Sequence, residues 1–419
     1  MSVPALRFKD EAGQDFPDWK AKTISELAIK VIDGDRGQNY PNGNDFSDDG
    51  YCLFLNAKNV TKSGFAFDEL SFITKDKDEQ LRKGKLSKND LIITTRGSVG
   101  NIAHFDSEVK YANMRINSGM VILRNESIDI SPNYLYQYFY SPIFTKLVQQ
   151  IAFGSAQPQL TVLEIKKFIV GLPLIQEQSK IANFLTAVDE KITQLTQKHD
   201  LLTQYKKGVM QQIFSHSKER SDCTVTYPRG ISQALRFKDD DGQDFPEWEE
   251  KDVGEVFKVT RGNVLAMPLV SETKTDTHQF PVYSSQTKNN GLSGYYNEYL
   301  YENSITWTTD GANAGDVNFR GGKFYCTNVC GVLISEVGHA NACVAAMINA
   351  VSRKYVSYVG NPKLMNGVMA KITIEFPCVK EQTKIANFLT TIDDKITATQ
   401  TQLKAVKQYK QGLLQQMFV

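Results

Sequence analysis

The sequence predicts an α+β fold: two strand-rich mixed α/β domains joined by two long antiparallel coiled-coil helices, the whole forming an internal pseudo-twofold repeat. Three observations carry this. First, the chain states a frame twice: Leu6-Arg7-Phe8-Lys9-Asp10 through Asp15-Phe16-Pro17-Asp18-Trp19 returns at Leu235 through Trp248, with eleven of fourteen positions identical at an offset of 229. Glu177-Gln178-Ser179-Lys180-Ile181-Ala182-Asn183-Phe184-Leu185-Thr186 returns at Glu381 through Thr390, at an offset of 204. Second, each of these later segments opens a heptad seam. Third, the stretches between the frame pieces differ from one another and carry short β-type runs broken by Gly and Asn.

The elements follow in order. From about Trp19 to Pro173 runs a first module, with apolar β-type runs at Leu91-Ile92-Ile93-Thr94-Thr95 and Gly119-Met120-Val121-Ile122-Leu123, and a predicted helix over Pro132–Phe144. After Pro173 apolar residues step by four and three through Ile181, Leu185, Val188, Ile192, Leu195, Leu202, Val209 and Ile213, without an internal proline. Such a seam sustained over several heptads describes a coiled coil, and about 38 helical residues would span about 57 Å. Ser215–Ser232, rich in Ser, Thr and Lys, reads as a linker. A second module runs from about Trp248 to Pro377, with strands at Ser304–Thr308 and Gly331–Ile334 and a helix over Ala342–Val351; the offsets 229 and 204 make it 25 residues shorter than the first. The second seam is Ile385, Leu389, Ile392, Ile396, Leu403, Val406 and Leu413. A compact domain of this size is about 35 Å across, shorter than the helix, so the second helix is expected to run back along the first. The resulting partition is 1–176, 177–218, 219–378 and 379–419.

Composition sets the bounds. With 419 residues the chain needs more than one core, and its 41% hydrophobic and 23% charged residues are those of an ordinary globular protein. No apolar run approaches the length of a membrane span, and the N-terminus lacks a signal-peptide core, so a cytoplasmic protein is expected. The six cysteines have no paired or metal-ligand spacing; reduced structural thiols are expected and no metal site. The net charge of +1 excludes a global basic field, so contact with nucleic acid requires local charge or a second subunit. There is no phosphate-binding loop, and neither the five histidines nor any carboxylate pair forms a catalytic pattern. No catalytic residue is assigned.

What remains is recognition. Thr94-Thr95-Arg96-Gly97-Ser98-Val99-Gly100 and Thr308-Thr309-Asp310-Gly311-Ala312-Asn313-Ala314-Gly315 follow matching strands, and the charged residue switches from Arg96 to Asp310. Arg pairs bidentately with guanine, and Asp accepts from the cytosine amino group; both residues equally suit a turn chosen for backbone geometry. Further polar candidates near strand ends are Arg36, Asn56, Lys58, Arg115, Asn117, Gln157 and Gln159 in the first module. The second offers Arg261, Gln286, Lys288, Asn289, Asn313, Asn328 and Lys363. Asn, Gln and Arg read base edges, whereas Lys holds phosphates, though each is also an ordinary loop residue. Phe184, Tyr205, Phe388 and Tyr409 flank the seams; they either widen the helix contact or anchor a partner subunit.

Together these features resemble the specificity subunit of type I restriction–modification systems. The likeness is carried by Leu172-Pro173-Leu174-Ile175-Gln176-Glu177-Gln178-Ser179-Lys180-Ile181-Ala182 and its second instance at Phe376 through Ala386, by the turn at Arg96-Gly97, and by the Trp19 and Trp248 lead-ins. Cys378 stands where such proteins often carry a second proline. The resemblance implies that each module is a target recognition domain reading half of a split, asymmetric double-stranded DNA site. The helices would set the spacer and dock two modification (methyltransferase) subunits carrying S-adenosylmethionine. Restriction subunits using ATP and Mg2+ would join them, and this chain would hold no cofactor and catalyse nothing. A coiled-coil scaffold bridging two proteins without DNA is the competing reading, and a self-sufficient DNA-modifying enzyme the third.

Overall fold

The computed structural model describes residues 4–152, 159–214, 235–285 and 288–418. The chain forms two compact units, Met1–Thr196 with Gln402–Val419, and Gln197–Thr401. The linker expected at 215–232 lies outside the described residues, as do Gln157 and Gln286.

In the first unit an antiparallel sheet runs in the order Ile29–Asp33, Met120–Asn125, Leu91–Thr94, Ile102–His104. Its inner stretches Leu91–Thr94 and Met120–Leu123 are buried on both faces, while the edge strand Ile29–Asp33 leaves Lys30 exposed. Ile93, Val121 and Leu123 enter one core with Tyr134, Leu135 and Phe139, while Ile92 and Ile122 enter another with Leu53, Leu55 and Ile116. The alternation is the two-residue period of a strand applied to inner strands that are covered on both faces. A smaller sheet of Phe72–Ile73, Cys52–Leu55 and Met114–Ile116 lies beside it. The helix expected over 132–144 is two helices, Pro132–Phe139 and Pro142–Ala152. Pro142 has no N–H to give a continuing helix, and a proline at a first helical turn starts a new one.

In the second unit a six-stranded sheet runs Lys258–Arg261, Cys330–Ile334, Tyr301–Thr308, Val317–Cys326, Phe280–Tyr283, Leu292–Tyr296. Its first three strands repeat the arrangement of Ile29–Asp33, Met120–Asn125 and Leu91–Thr94 in the first unit: the middle strand pairs antiparallel with both neighbours in each case. Helix Ala342–Ser352 packs in the same core as Ile305, Trp307 and Leu333. The described cysteines are free and mostly buried; burial pushes the Cys52 thiol up to about 12 and Cys330 to about 11, which removes the thiolate that reactivity requires.

The long helices are Ile175–Phe214 and Val379–Met417. Every seam position named from the sequence is buried or half-buried, while residues such as Asn183, Ala187, Asn387 and Thr391 face water. Each unit contains the start of one helix and the end of the other. In the first, Ile181 and Leu185 share a core with Leu413 and Met417; in the second, Ile385 and Leu389 share one with Val209 and Ile213. Within each unit the two segments therefore run antiparallel. Charge pins the register at repeat-equivalent positions: Lys410 Nζ donates to Asp189 at 2.6 Å, and Lys206 Nζ to Asp393 at 2.6 Å. Burial holds the Lys410 ammonium below its ordinary pKa, opposed by Asp189.

Candidate nucleic-acid interface

The repeated frame places each module on its helix. Glu177 is fully buried and takes Arg7 through both oxygens, at 3.0 and 2.7 Å, and the Trp19 indole N–H at 3.2 Å. Glu381 holds Arg236 at 3.0 and 3.2 Å and the Trp248 indole at 3.0 Å in the same way. The neighbouring Gln178 and Gln382, also buried, donate back to the carbonyls of Pro173 and Pro377 at 3.0 and 2.8 Å. The recurring Glu-Gln pair is thus a carboxylate clasp for the lead-in and an amide clasp for the helix entry. Lead-in Phe8 meets Phe184 at 5.7 Å, and Phe237 meets Phe388 at 5.6 Å, both edge-on. Phe184 and Phe388 are half-buried, each with one edge of its ring against this chain's own lead-in. Tyr205 and Tyr409 do stand out, each 55% exposed.

In the first module the candidates converge on one end of the sheet. Arg36 Nη2 donates to Ser118 O at 3.2 Å, Asn117 N to Leu55 O at 3.2 Å beside Asn56, and Arg96 N to Gly119 O at 3.3 Å. Arg96 also pairs in an isolated bridge with Gln159. The crossing is tight: a Cβ on Gly34 would lie 2.1 Å from Asn117 O, so only glycine lets these turns meet. Arg36, Arg96 and Gln159 are exposed; Asn117 is half-buried and spends its side-chain oxygen on Gly119 N at 2.9 Å. Asn56 similarly caps Lys58 N at 2.8 Å, and exposed Lys58 pairs with Glu69.

Arg115 is corrected by the structure. It is only 5% exposed, and its guanidinium is consumed by Asp78 and by the carbonyls of Asp78, Leu81 and Lys83. Strand alternation turns it away from the core that takes Met114 and Ile116, onto a face covered by Asp78, Leu81 and Lys83. In its place the fold brings up Arg82, which is exposed and lies against Gly37 beside Arg36. Asp35 fixes this loop: burial would raise its pKa, but the backbone N–H groups of Gly37, Arg82 and Lys83 outweigh burial and hold it low. The sequence signal was the basic run Arg82-Lys83-Gly84-Lys85.

The second module repeats this scaffold with other side chains. Asp310 bridges to Lys363 as Arg96 does to Gln159. Leu364 N donates to Thr309 O at 2.9 Å, as Leu160 N does to Thr95 O at 3.0 Å. Gly262 stands where Gly34 does, with a Cβ there 2.3 Å from Cys326 O. Arg261 reaches Asn328 O at 2.6 Å and Asp310 at 3.1 Å, so the Asp310 carboxylate already has Arg261 and the Thr309 hydroxyl (2.6 Å) as donors. Asn328 and Lys363 are exposed. Asn313 is half-buried and donates to Ser285 O at 3.0 Å. Lys288 and Asn289 lie in a short turn, Lys288–Gly291, where Asn289 and Asn290 are exposed at φ of 51° and 52°, a region Asn tolerates.

Fold and site define a two-module recognition protein: one scaffold built twice, with different side chains displayed at equivalent strand ends. The profile of the type I restriction modification DNA specificity domain matches residues 17–204 and 246–408, and the chain belongs to that family. It is 38% identical over 142 residues to the Mycoplasma pneumoniae type I specificity subunit S.MpnORF289P N-terminus, spanning 33% of this chain and 74% of the relative. Matches to two other specificity subunits of that organism span 38% and 47% of their lengths. The Methanocaldococcus jannaschii type I restriction enzyme MjaX specificity subunit is 21% identical over 97% of this chain and 94% of its own length. In fold, the chain is similar to the S subunit of a type I restriction-modification system from M. genitalium, with a TM-score of 0.67, 15% identity, and coverage of 100% of this chain and 99% of that one. Among the described residues no helix is long and apolar enough to cross a membrane.

Proposed function

We propose that this chain is the DNA sequence-specificity subunit of a type I restriction–modification complex. Its two strand-end clusters are target recognition surfaces, each binding one half of a bipartite, asymmetric double-stranded DNA site. Arg36, Arg82, Arg96 and Gln159 serve the first half; Arg261, Asp310, Asn328 and Lys363 serve the second. The observation that carries this is the substitution of Arg96 and Gln159 by Asp310 and Lys363 on an otherwise matching backbone. A surface needing only charge would have no reason to invert it, whereas base reading does. The long helices set the spacer and dock two modification subunits, with Tyr205 and Tyr409 as repeated aromatic anchors; restriction subunits join through these. S-adenosylmethionine, ATP and Mg2+ belong to the partners, this chain is non-catalytic, and the complex works in the cytoplasm.

Exchanging residues 20–172 for those of another family member, in the complex with modification subunits, is expected to change one half-site of the methylated sequence. A change in both halves, or in neither, would defeat the modular reading. Copurification of two methyltransferase chains per copy supports the assembly, and methyl transfer by the purified chain alone would contradict it.

A further inference from the structure

Beside the second strand-end cluster stands a hairpin that the polar candidates leave unexplained. Ser357 and Lys363 exchange both backbone hydrogen bonds at 2.9 Å, and Gly360 turns the tip with φ of 78°. Its base is braced on the turn that carries Asp310. Arg353 Nη2 lies 2.5 Å from Asp316, Gly311 N donates to Pro362 O at 3.0 Å, and Lys363 Nζ is 3.8 Å from Asp310. Val356 is buried so close to Gly315 that a Cβ there would sit 2.9 Å from it. The tip is the reverse of this base. Tyr358 is 69% exposed and Val359 92% exposed. Two neighbouring apolar side chains are thus held out in water by a well-fixed support, on the same surface as Asp310 and Lys363.

We propose that this hairpin is a finger that enters the major groove of the half-site bound by the second module, with Val359 packing on the C5-methyl of a thymine. The inference rests on the specificity-subunit reading. Three points lead to it. A turn closed by the single Ser357–Lys363 pair is no wider than the two-stranded ribbon that the major groove, about 12 Å wide, admits and the minor groove, about 6 Å wide, does not. Asp310, at the hairpin's base, is of the kind that accepts from a cytosine amino group in the major groove, and Lys363 of the kind that holds a flanking phosphate. The apolar group that base edges present there is the thymine methyl. Fixing the hairpin in advance removes the ordering entropy that a loose loop would lose on binding.

The test uses the full chain in complex with its modification subunits and duplexes carrying its methylated site. Each thymine of the second half-site is replaced in turn by uracil, which deletes only the methyl. Binding is compared for wild type, Val359→Ala and Val359→Ser. Because Val359 is 92% exposed, these variants keep the fold, which circular dichroism verifies. One thymine-to-uracil change is expected to weaken wild-type binding about fourfold, the equivalent of one buried methyl. Val359→Ala should weaken binding by at least as much, and the two changes together no more than the larger alone. Wild-type affinity in Val359→Ala, additive losses at every thymine, or a second half-site without an A·T pair would each overturn the finger. A wild-type complex with no site preference would remove the specificity reading along with it, whereas a selective wild type with an unaffected variant sinks the finger alone.

Discussion

Replacing Glu177 by Gln isolates what the lead-in clasp contributes. The carboxylate is fully buried and accepts three hydrogen bonds, two from Arg7 and one from the Trp19 indole. An amide of the same shape has one acceptor oxygen. Placed at the Oε2 position it keeps Arg7 Nη2 and the indole and sets an NH2 against Arg7 Nε; placed at Oε1 it loses both of the former. Either way the Arg7 side chain, 16% exposed, loses its buried counter-charge. Asp18 at 3.8 Å is 91% exposed and offers little in exchange. Removing one member of a buried pair costs about 3–5 kcal/mol, and the surviving hydrogen bonds put Glu177→Gln at the lower end, about 3 kcal/mol. Leu6 N, bonded to Gln416 O at 3.1 Å, reports on the clasp by amide hydrogen exchange. Opening that involves the lead-in should become easier by a factor on the order of 100. Glu381→Gln should act in the same way on Leu235, whose N–H donates to Gln212 O at 3.2 Å. Unchanged exchange at Leu6 in Glu177→Gln would show that Phe8 on Phe184 holds the lead-in by itself and that the ion pair is incidental.

Other outcomes follow from the same contacts. Lys410→Asp should destabilise the first unit by about 3 kcal/mol or more by setting two carboxylates together. The double variant Asp189→Lys with Lys410→Asp should recover most of that loss in thermal unfolding; no recovery would mean that Lys410 acts through packing on Tyr140 alone. Glu at Ile192 and Leu195 should abolish the helix pairing and, with it, copurification of modification subunits, whereas intact assembly would count against the seam. His104 is buried and its pKa is held below the ordinary value by that burial, against the opposing pull of Asp106 and Asp90. As pH falls below about 6.5, the unfolded chain takes up a proton that the folded unit resists, so stability must decline there. His104→Gln should flatten that decline in urea midpoints measured across this range, and parallel curves would contradict the assignment.

The features legible in the sequence were those with a local period. The heptad seam declared itself because 3.5-residue spacing has few causes other than a helix pair, and the apolar runs at 91–95 and 119–123 read as strands because these inner strands are covered on both faces. The break between Phe139 and Pro142 was not read: one helix over 132–144 was expected because the apolar pattern runs on across the proline that restarts it. Contacts across sequence were not legible. Arg115 finds Asp78 across 37 positions, and Phe184 meets Phe8 from the far end of the module; no spacing rule signals either. For the same reason the Glu-Gln hallmark could be recognised as a repeat but not explained as two clasps. Arg36, Arg96 and Gln159 were visible as polar residues, but their convergence depends on Gly34 admitting the Asn117 turn.

The two register-fixing ion pairs are equivalent in sequence but not in surroundings. Lys410 and Asp189 have side chains 7% and 35% exposed, with Gln137 donating to the carboxylate at 2.9 Å and the Tyr140 ring 4.3 Å from the ammonium. Lys206 and Asp393 are 28% and 50% exposed. Dissolved ions screen exposed pairs and scarcely reach covered ones, with a Debye length of about 8 Å at physiological ionic strength. Raising the salt concentration therefore loosens the second unit's fastening while leaving the first nearly intact. A chain built from one frame stated twice responds to its ionic medium on one side only.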